Sequence, residues 1–302
     1  AALIIAARSK NKDLGLVQLH EGCDERQGEA PLKAPPNCMG GTHGIVLPTR
    51  EAMDYVLGAL EEIVPLFPGQ YFHLGGDEAD EFRDGAYASE VAEQLKQNLS
   101  IASSTQLQGY MVNEVHRLLA RHGKTVIAWD ETHFGLEEYK PPKDVLAMWW
   151  RDWSPEASWE IVRELGPRLI LAPQGKTYLD SYQVEPHGAS RHRVQEGTVS
   201  LWHTYSTAQL EASGIKGVHG CLWSEHLNSS KVLEYQLFPR GAALAEVGWT
   251  PKARAQDFQD FLRRWSVHAE RLAAMGMEFY DGNYTGEPDN TSQPPIELSE
   301  WA

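Results

Sequence analysis

Cysteine is scarce in this chain of 302 residues: only Cys23, Cys38 and Cys221 occur. Three thiols build no disulfide framework. Cys23 and Cys38 bracket a Pro/Gly-rich loop and can pair only where the compartment is oxidising. Cys221 lies in an apolar run and reads as a buried free thiol. Basic residues are also few, 27 Lys and Arg against 42 Asp and Glu, for a net charge of −15. No basic patch or Arg-rich helix stands out, which makes nucleic acid and anionic membrane poor partner candidates. The acidity reads as a soluble surface. No apolar run approaches the roughly 18 residues of a membrane span. There is no Gly-x-Ser-x-Gly turn, no phosphate-binding glycine loop and no His-Glu-x-x-His pair, so serine hydrolase, nucleotide and zincin signatures are missing. No internal repeat or low-complexity segment is evident. The first residues, AALIIAARS, follow neither Met nor a basic stretch; they read as a helix, not a signal peptide. A start inside a helix predicts a processed or truncated chain. Sequons at Asn98, Asn228, Asn283 and Asn290 have meaning only in a eukaryotic secretory setting.

What is present builds a large core, since 42% of the residues are hydrophobic. Residues 1–10 read as a helix and 11–47 as a loop rich in Pro, Gly and charge. PTREAMDYVLGALEEIVPLF (48–67) is an amphipathic helix with Pro48 and Thr49 near its start. QYFHLGG follows as a short buried strand. Helical periodicity then runs over 86–122, with Gly123 as the stop. Strands are predicted at 124–131, 144–150, 168–173 and 217–225, and helices at 154–165, 231–247 and 255–275. Short apolar strands alternating with helices specify a parallel sheet with crossovers. Residues from about 281 to 302 form a Pro/Asn/Ser-rich tail.

Polar and aromatic residues collect where these strands end. Asp77 and Glu78 close the first; Trp129, Asp130 and Glu131 the second; Trp149, Trp150 and Arg151 the third. Gln174 follows the fourth, and Trp223 and Glu225 end the last. Carboxyl ends of parallel strands are where barrels and open α/β sheets place ligands. A βα unit takes roughly 30 residues, and the 68 residues before the first clear strand hold two helices and a loop instead. Five strands are expected, and a closed eight-stranded barrel does not fit.

GQYFHLGGDEADEF (69–82) carries the sharpest signal. Neighbouring strand residues face opposite sides, so Asp77 and Glu78 reach one site only if Gly75 and Gly76 relax the backbone into a turn. One ionised carboxylate raises the pKa of the other, and that keeps a general acid protonated. A lone Asp-Glu pair more often serves a helix dipole; His73 and two glycines ahead of it favour chemistry. His73, Asp77 and Glu78 are also potential metal ligands, but no second histidine stands at ligand spacing. Ten tryptophans are the second signal. Indoles stack on the C–H faces of sugars, whose hydroxyls carboxylates read. Trp129, Trp150, Trp202 and Trp223 are the candidate stacking box; Trp159, Trp249 and Trp265 are on helices and expected to pack. In KTYLDSYQ (176–183), Tyr178 and Asp180 share a face if extended.

HLGGDE resembles the His-x-Gly-Gly-Asp-Glu signature of the family 20 glycoside hydrolases, the β-N-acetylhexosaminidases. The resemblance continues in order through VIAWDE, YLDSYQ, GVHGCLWSE and FPRGAALAEVGWTP, over roughly residues 1–275. It implies an α/β fold of the (β/α)8 TIM-barrel type, incomplete, with strands 4 to 8 recognisable. Residues 1–280 would be an N-terminally truncated barrel domain and 281–302 a tail. The first-strand Arg and third-strand Pro-Gly-His of the family have no counterpart, so the chain is expected to start just after that His. The resemblance further implies an exo-acting, retaining β-N-acetylhexosaminidase that removes terminal GlcNAc or GalNAc by substrate-assisted, oxazolinium hydrolysis, an exception to the two-carboxylate scheme. Asp77 would orient the acetamido group and Glu78 act as acid and base. Tyr178 would bond the acetamido oxygen, and Trp129, Trp150 and Trp202 would wall its pocket, the Trp202 match resting on a loop. Trp223 would stack under the ring, Asp180 and Glu225 would bind hydroxyls, and His73 would support the site. No cofactor is implied. The partner is a β-N-acetylhexosaminide, a chitooligosaccharide or glycan end; open barrel edges leave a homo-oligomer possible. A secreted, periplasmic or lysosome-like setting fits better than the cytoplasm. A carbohydrate-binding relic without turnover and a metal-dependent hydrolase stand as alternatives.

Overall fold

The structure, a computed structural model, describes residues 16–18, 44–78, 90–103, 105–133, 139–153, 168–184, 190–192, 194–209, 215–251 and 257–282. The helices expected over 1–10 and 154–165, Trp159, the Cys23–Cys38 pairing and the tail from Asn283 on lie outside the described residues. The strands are β1 Leu16–Gln18, β2 Gly44–Val46, β3 Tyr71–His73, β4 Thr125–Trp129, β5 Leu146–Trp149, β6 Leu169–Leu171, β7 Ser181–Tyr182, β8 Gln195–Thr198 and β9 Gly217–Val218. The α-helices are α1 Arg50–Ile63, α2 Glu90–Leu99, α3 Thr105–Arg121, α4 Gln174–Thr177, α5 Leu201–Tyr205, α6 Ser230–Leu237, α7 Arg240–Trp249 and α8 Phe258–Ala274.

A five-stranded sheet has the order β3-β4-β5-β6-β9. β3 runs parallel to β4 with Phe72 opposite Val126, and β6 runs parallel to β9 with Leu171 opposite Val218. All five expected strands are therefore present, with described helices between β3 and β4 and between β6 and β9. The last is shorter than expected. Only Gly217–Val218 is laddered, and Cys221 makes one further parallel bridge, to Tyr178. β1 and β2 pair antiparallel within the stretch expected to be loop, and β7 pairs with β8, which periodicity did not show. Two- to four-residue strands are too short to carry a period.

The chain divides into two compact units, residues 1–147 and 148–302. In the first, Thr49 starts α1: its hydroxyl accepts from the Ala52 amide at 3.2 Å. Val56, Leu57 and Leu60 of α1 pack on Val115, Leu118 and Leu119 of α3 and on Val126 and Ala128 of β4. The expected helix over 86–122 is two helices, broken after Leu99, where Ser100 has φ 56°. Gly123, at φ 68°, ends the second. In the second unit, Leu201 and Tyr205 of α5 pack with Ala243 of α7 and Phe258, Phe261 and Trp265 of α8. Ser200, Ser229 and Asp257 cap α5, α6 and α8 through their side-chain oxygens. The helix expected over 231–247 is broken between α6 and α7 because Pro239 has no N–H with which to continue the first. Trp265 is buried as expected. Trp249 is not packed: it ends α7 with 90% of its surface exposed.

Candidate active site

In the first unit the site is made by two turns. The β3–β4 ladder continues beyond β3 through Leu74 N to Ile127 O (2.9 Å) and Trp129 N to Gly75 O (3.1 Å). The chain then bends through Gly75 and Gly76, at φ 85° and 99°, and Glu78 at 56°. Glycine is required at 76: its φ suits no L side chain, and a Cβ there would overlap the Thr132 methyl. The second turn, Asp130–His133, is a 3-10 helix in which Asp130, Glu131 and Thr132 are buried. The turns meet through the Glu78 amide, which donates to Glu131 Oε1 at 3.4 Å. From α3, Gln108 Nε2 donates to Gly76 O at 2.8 Å.

Asp77 and Glu78 thus leave the strand as expected, but into unlike surroundings. Asp77 is half-buried, and burial raises its pKa. Glu78 is exposed. The largest cause of the Asp77 shift is lost solvation, where the sequence reading supposed charge on a neighbouring acid. His73 Nδ1 accepts the Gly75 amide at 3.0 Å, which assigns the ring proton to Nε2. Trp129 is buried, with its ring edge-on to His73 at 5.1 Å. His73 and Trp129 therefore brace the acid turn.

In the second unit Trp150, just past β5, stacks on Tyr178 at 6.0 Å and 17° and meets Trp153 edge-on at 4.8 Å. Tyr178 and Cys221 are bridged, with Leu179 N donating to Cys221 O and Cys221 N to Thr177 O. Cys221 is the buried free thiol expected; burial and the charge of Asp180 push its pKa up to about 12. The chain turns at Leu179–Asp180, so the extended spacing expected for Tyr178 and Asp180 does not hold. Asp180 is 4% exposed, and its Oδ1 has no hydrogen-bond partner among the described residues. Burial raises its pKa to about 6, opposed by Arg240 and assisted by repulsion from Glu225.

Arg240 sits beneath this turn, fully buried. Its guanidinium donates to Leu179 O (2.5 Å), Val199 O (2.7 Å), Gln236 O (2.9 Å) and Ser181 O (3.1 Å). Gln236 Nε2 adds bonds to Ser181 O and Leu179 O. Burial lowers the pKa of Arg240 to about 9. Glu225 and Trp223 are exposed, Trp223 at 41%. Trp202 is on α5, not on a loop, because the Ser200–His203 capping box starts a helix there. Its ring lies against Phe258 at 5.0 Å and Tyr205 at 6.4 Å. The Tyr205 hydroxyl donates to Glu246, which Arg264 grips with both terminal nitrogens.

The sequence reading passed over several of these residues. Asp152 accepts the Gly175 amide at 3.0 Å, and burial raises its pKa. Burial lowers that of Lys176, whose Nζ donates to Ser206 Oγ at 2.7 Å. Asp152 directly follows the Trp149–Arg151 strand end, a signal available in the sequence. Gln236 had none, and Arg240 stood only inside the FPRGAALAEVGWTP stretch with no role attached, since both lie on helices 55 to 61 residues from the carbonyls they bind at the Asp180 turn. Among the described residues no group of three or more His, Cys, Asp or Glu is placed to hold a metal ion, and no helix is long and apolar enough to cross a membrane.

Acids and aromatics at the ends of the strands, with helices between them among the described residues, define the class: an α/β fold of the (β/α)8-barrel type, incomplete, with five strands of its sheet among the described residues. Residues 22–252 match the glycosyl hydrolase family 20 catalytic domain. A β-hexosaminidase of Porphyromonas gingivalis is 30% identical over 75% of this chain and 29% of its own length. One of Akkermansia muciniphila is 28% identical over 76% of the chain and 46% of its own. The solved exo-β-N-acetylglucosaminidase of Vibrio harveyi, in complex with N-acetylglucosamine, superposes with a TM-score of 0.65 at 26% identity, covering 80% of this chain and 38% of that one. The chain belongs to glycosyl hydrolase family 20 and spans less than half the length of these relatives.

Proposed function

We propose that the chain hydrolyses terminal β-linked N-acetylhexosamines, GlcNAc or GalNAc, as an exo-acting retaining enzyme with substrate-assisted chemistry. The observation that carries this reading is the unlike surroundings of two adjacent acids. Glu78 is solvent-exposed at the turn, within reach of water, as a residue must be that first protonates the glycosidic oxygen and later deprotonates the incoming water. Asp77 is half-buried and poorly solvated. A carboxylate so placed interacts strongly with a cation developing beside it, here the acetamido group as its oxygen attacks the anomeric carbon. The substrate supplies the nucleophile, so no second carboxylate is needed across the ring. Tyr178 serves the acetamido oxygen and Trp150 its wall. Asp180 brings a buried carboxylate oxygen to a sugar hydroxyl, and Glu225 a second carboxylate. The family membership and the relatives' names support the hydrolysis; the oxazolinium route rests on the acid pair.

The test is release of a chromogenic aglycone from β-GlcNAc, β-GalNAc and β-glucoside. Cleavage of the acetamido sugars alone is expected, and Asp77→Asn should abolish it while sugar binding persists. Equal cleavage of the glucoside, or an unaffected Asp77→Asn variant, overturns the mechanism. Sugar binding without any release assigns the chain as a binder.

A further inference from the structure

Glu131 is an acid that the proposed chemistry does not use. It follows β4 in the Asp130–His133 turn and is 5% exposed. A carboxylate so buried loses several kcal/mol of hydration unless hydrogen bonds replace it. One replacement is the Glu78 amide, which donates to Glu131 Oε1, a charge-assisted bond from backbone to carboxylate. Glu78 is also the residue whose backbone most needs holding. Its φ of 56° is left-handed, sparsely populated by residues other than glycine, and persists only where the surroundings over-determine it. Gln108 on Gly76 O and the Thr132 methyl against Gly76 fix the residues just before it. On Glu78 itself, the backbone amide is held by Glu131.

We propose that Glu131 is a positioning residue: by gripping the Glu78 N–H it sets where the Glu78 carboxyl is delivered. The inference rests on the reading of Glu78 as the acid. Displacing a reacting group by about 1 Å costs on the order of 100-fold in rate. Two near-isosteric variants separate reach from charge. Glu131→Asp keeps the charge but withdraws the oxygen by one methylene. Glu131→Gln loses the charge but keeps a carbonyl oxygen at the same reach.

The experiment measures kcat and KM for β-GlcNAc glycosides whose leaving groups range from dinitrophenol to a sugar alcohol. Glu131→Ala and Glu131→Asp are expected to lose about 10- to 100-fold in kcat on the poor leaving groups. They should lose far less on dinitrophenol, with KM little changed, and Glu131→Gln should recover most of the loss. A Gln variant as impaired as the Asp variant overturns the proposal, because restoring the oxygen's reach would then rescue nothing. So does a loss equal across leaving groups, the signature of general damage to the fold. If the unsubstituted chain releases no aglycone at all, the proposed function falls and this inference with it. If it does, and Asp and Gln behave alike, only the role of Glu131 falls.

Discussion

The two units hold their acids by opposite means. In residues 1–147 the acid turn is set by backbone conformation, with two glycines and Glu78 at positive φ and a side chain excluded at Gly76, and is fastened by the uncharged amide of Gln108 and by Glu131. In residues 148–302 the Asp180 turn is held by a side chain. Arg240 and Gln236 converge on the carbonyls of Leu179 and Ser181, and a charge is buried to achieve it. The electrostatic results differ accordingly. The pKa of Asp77 is raised chiefly by burial, with Glu78 beside it exposed. Asp180 is caught between a buried cation and Glu225. A turn set by backbone conformation places an acid without a counter-charge. One set by a buried guanidinium ties the acid's ionisation to the stability of its unit.

The largest expected effect breaks the second arrangement. Arg240→Met leaves four carbonyls short of a donor and should cost about 3–5 kcal/mol. Native-state hydrogen exchange should show protection lost in α6 and α7 while α3 keeps its own. Equal loss in α3 would erase the contrast. The matching change in the first unit, Gly76→Ala, forces an L residue to φ 99° against Thr132. About 1–3 kcal/mol is expected, read as a lower Tm together with lost turnover; a variant of unchanged Tm would show that the turn yields.

A smaller effect sharpens the electrostatic difference. The pKa of Asp180 rises from 3.8 to about 6 on folding, so the folded state prefers the protonated acid. That contribution to stability is complete below pH 3.8 and is lost as the pH rises through about 6. Asp180→Asn should therefore raise Tm at pH 8, by an amount equivalent to about 1–3 kcal/mol, and leave it unchanged below pH 4. A gain independent of pH would place its origin elsewhere. Smallest of all, Thr49→Ala removes the cap of α1 at a cost of about 1 kcal/mol, with kcat untouched. A kinetic effect would tie α1 to the acid turn.

Much of the first unit was legible. Gly-Gly before Asp-Glu announces a turn, because positive φ is a property of the residue itself. The helix start near Thr49, the stop at Gly123 and, across both units, the five strands followed from local pattern. Less of the second unit was. Trp249 was misplaced because exposure of a tryptophan depends on what folds over it, and Trp202 stands on a helix instead of a loop. The turn at Leu179–Asp180 overrode an extended reading because Arg240, 61 residues beyond Leu179, supplies its bonds.

By itself the sequence determined the family, the alternation of strands and helices, and the identity of the adjacent acids. These depend on residue type, spacing and backbone propensity, which act within a few positions. Only the tertiary structure decided which acid is buried and which meets solvent, that Glu131 closes on Glu78, and that a buried arginine carries the Asp180 turn. Desolvation and hydrogen bonding are set by neighbours in space, and those neighbours come from 53 to 61 residues away.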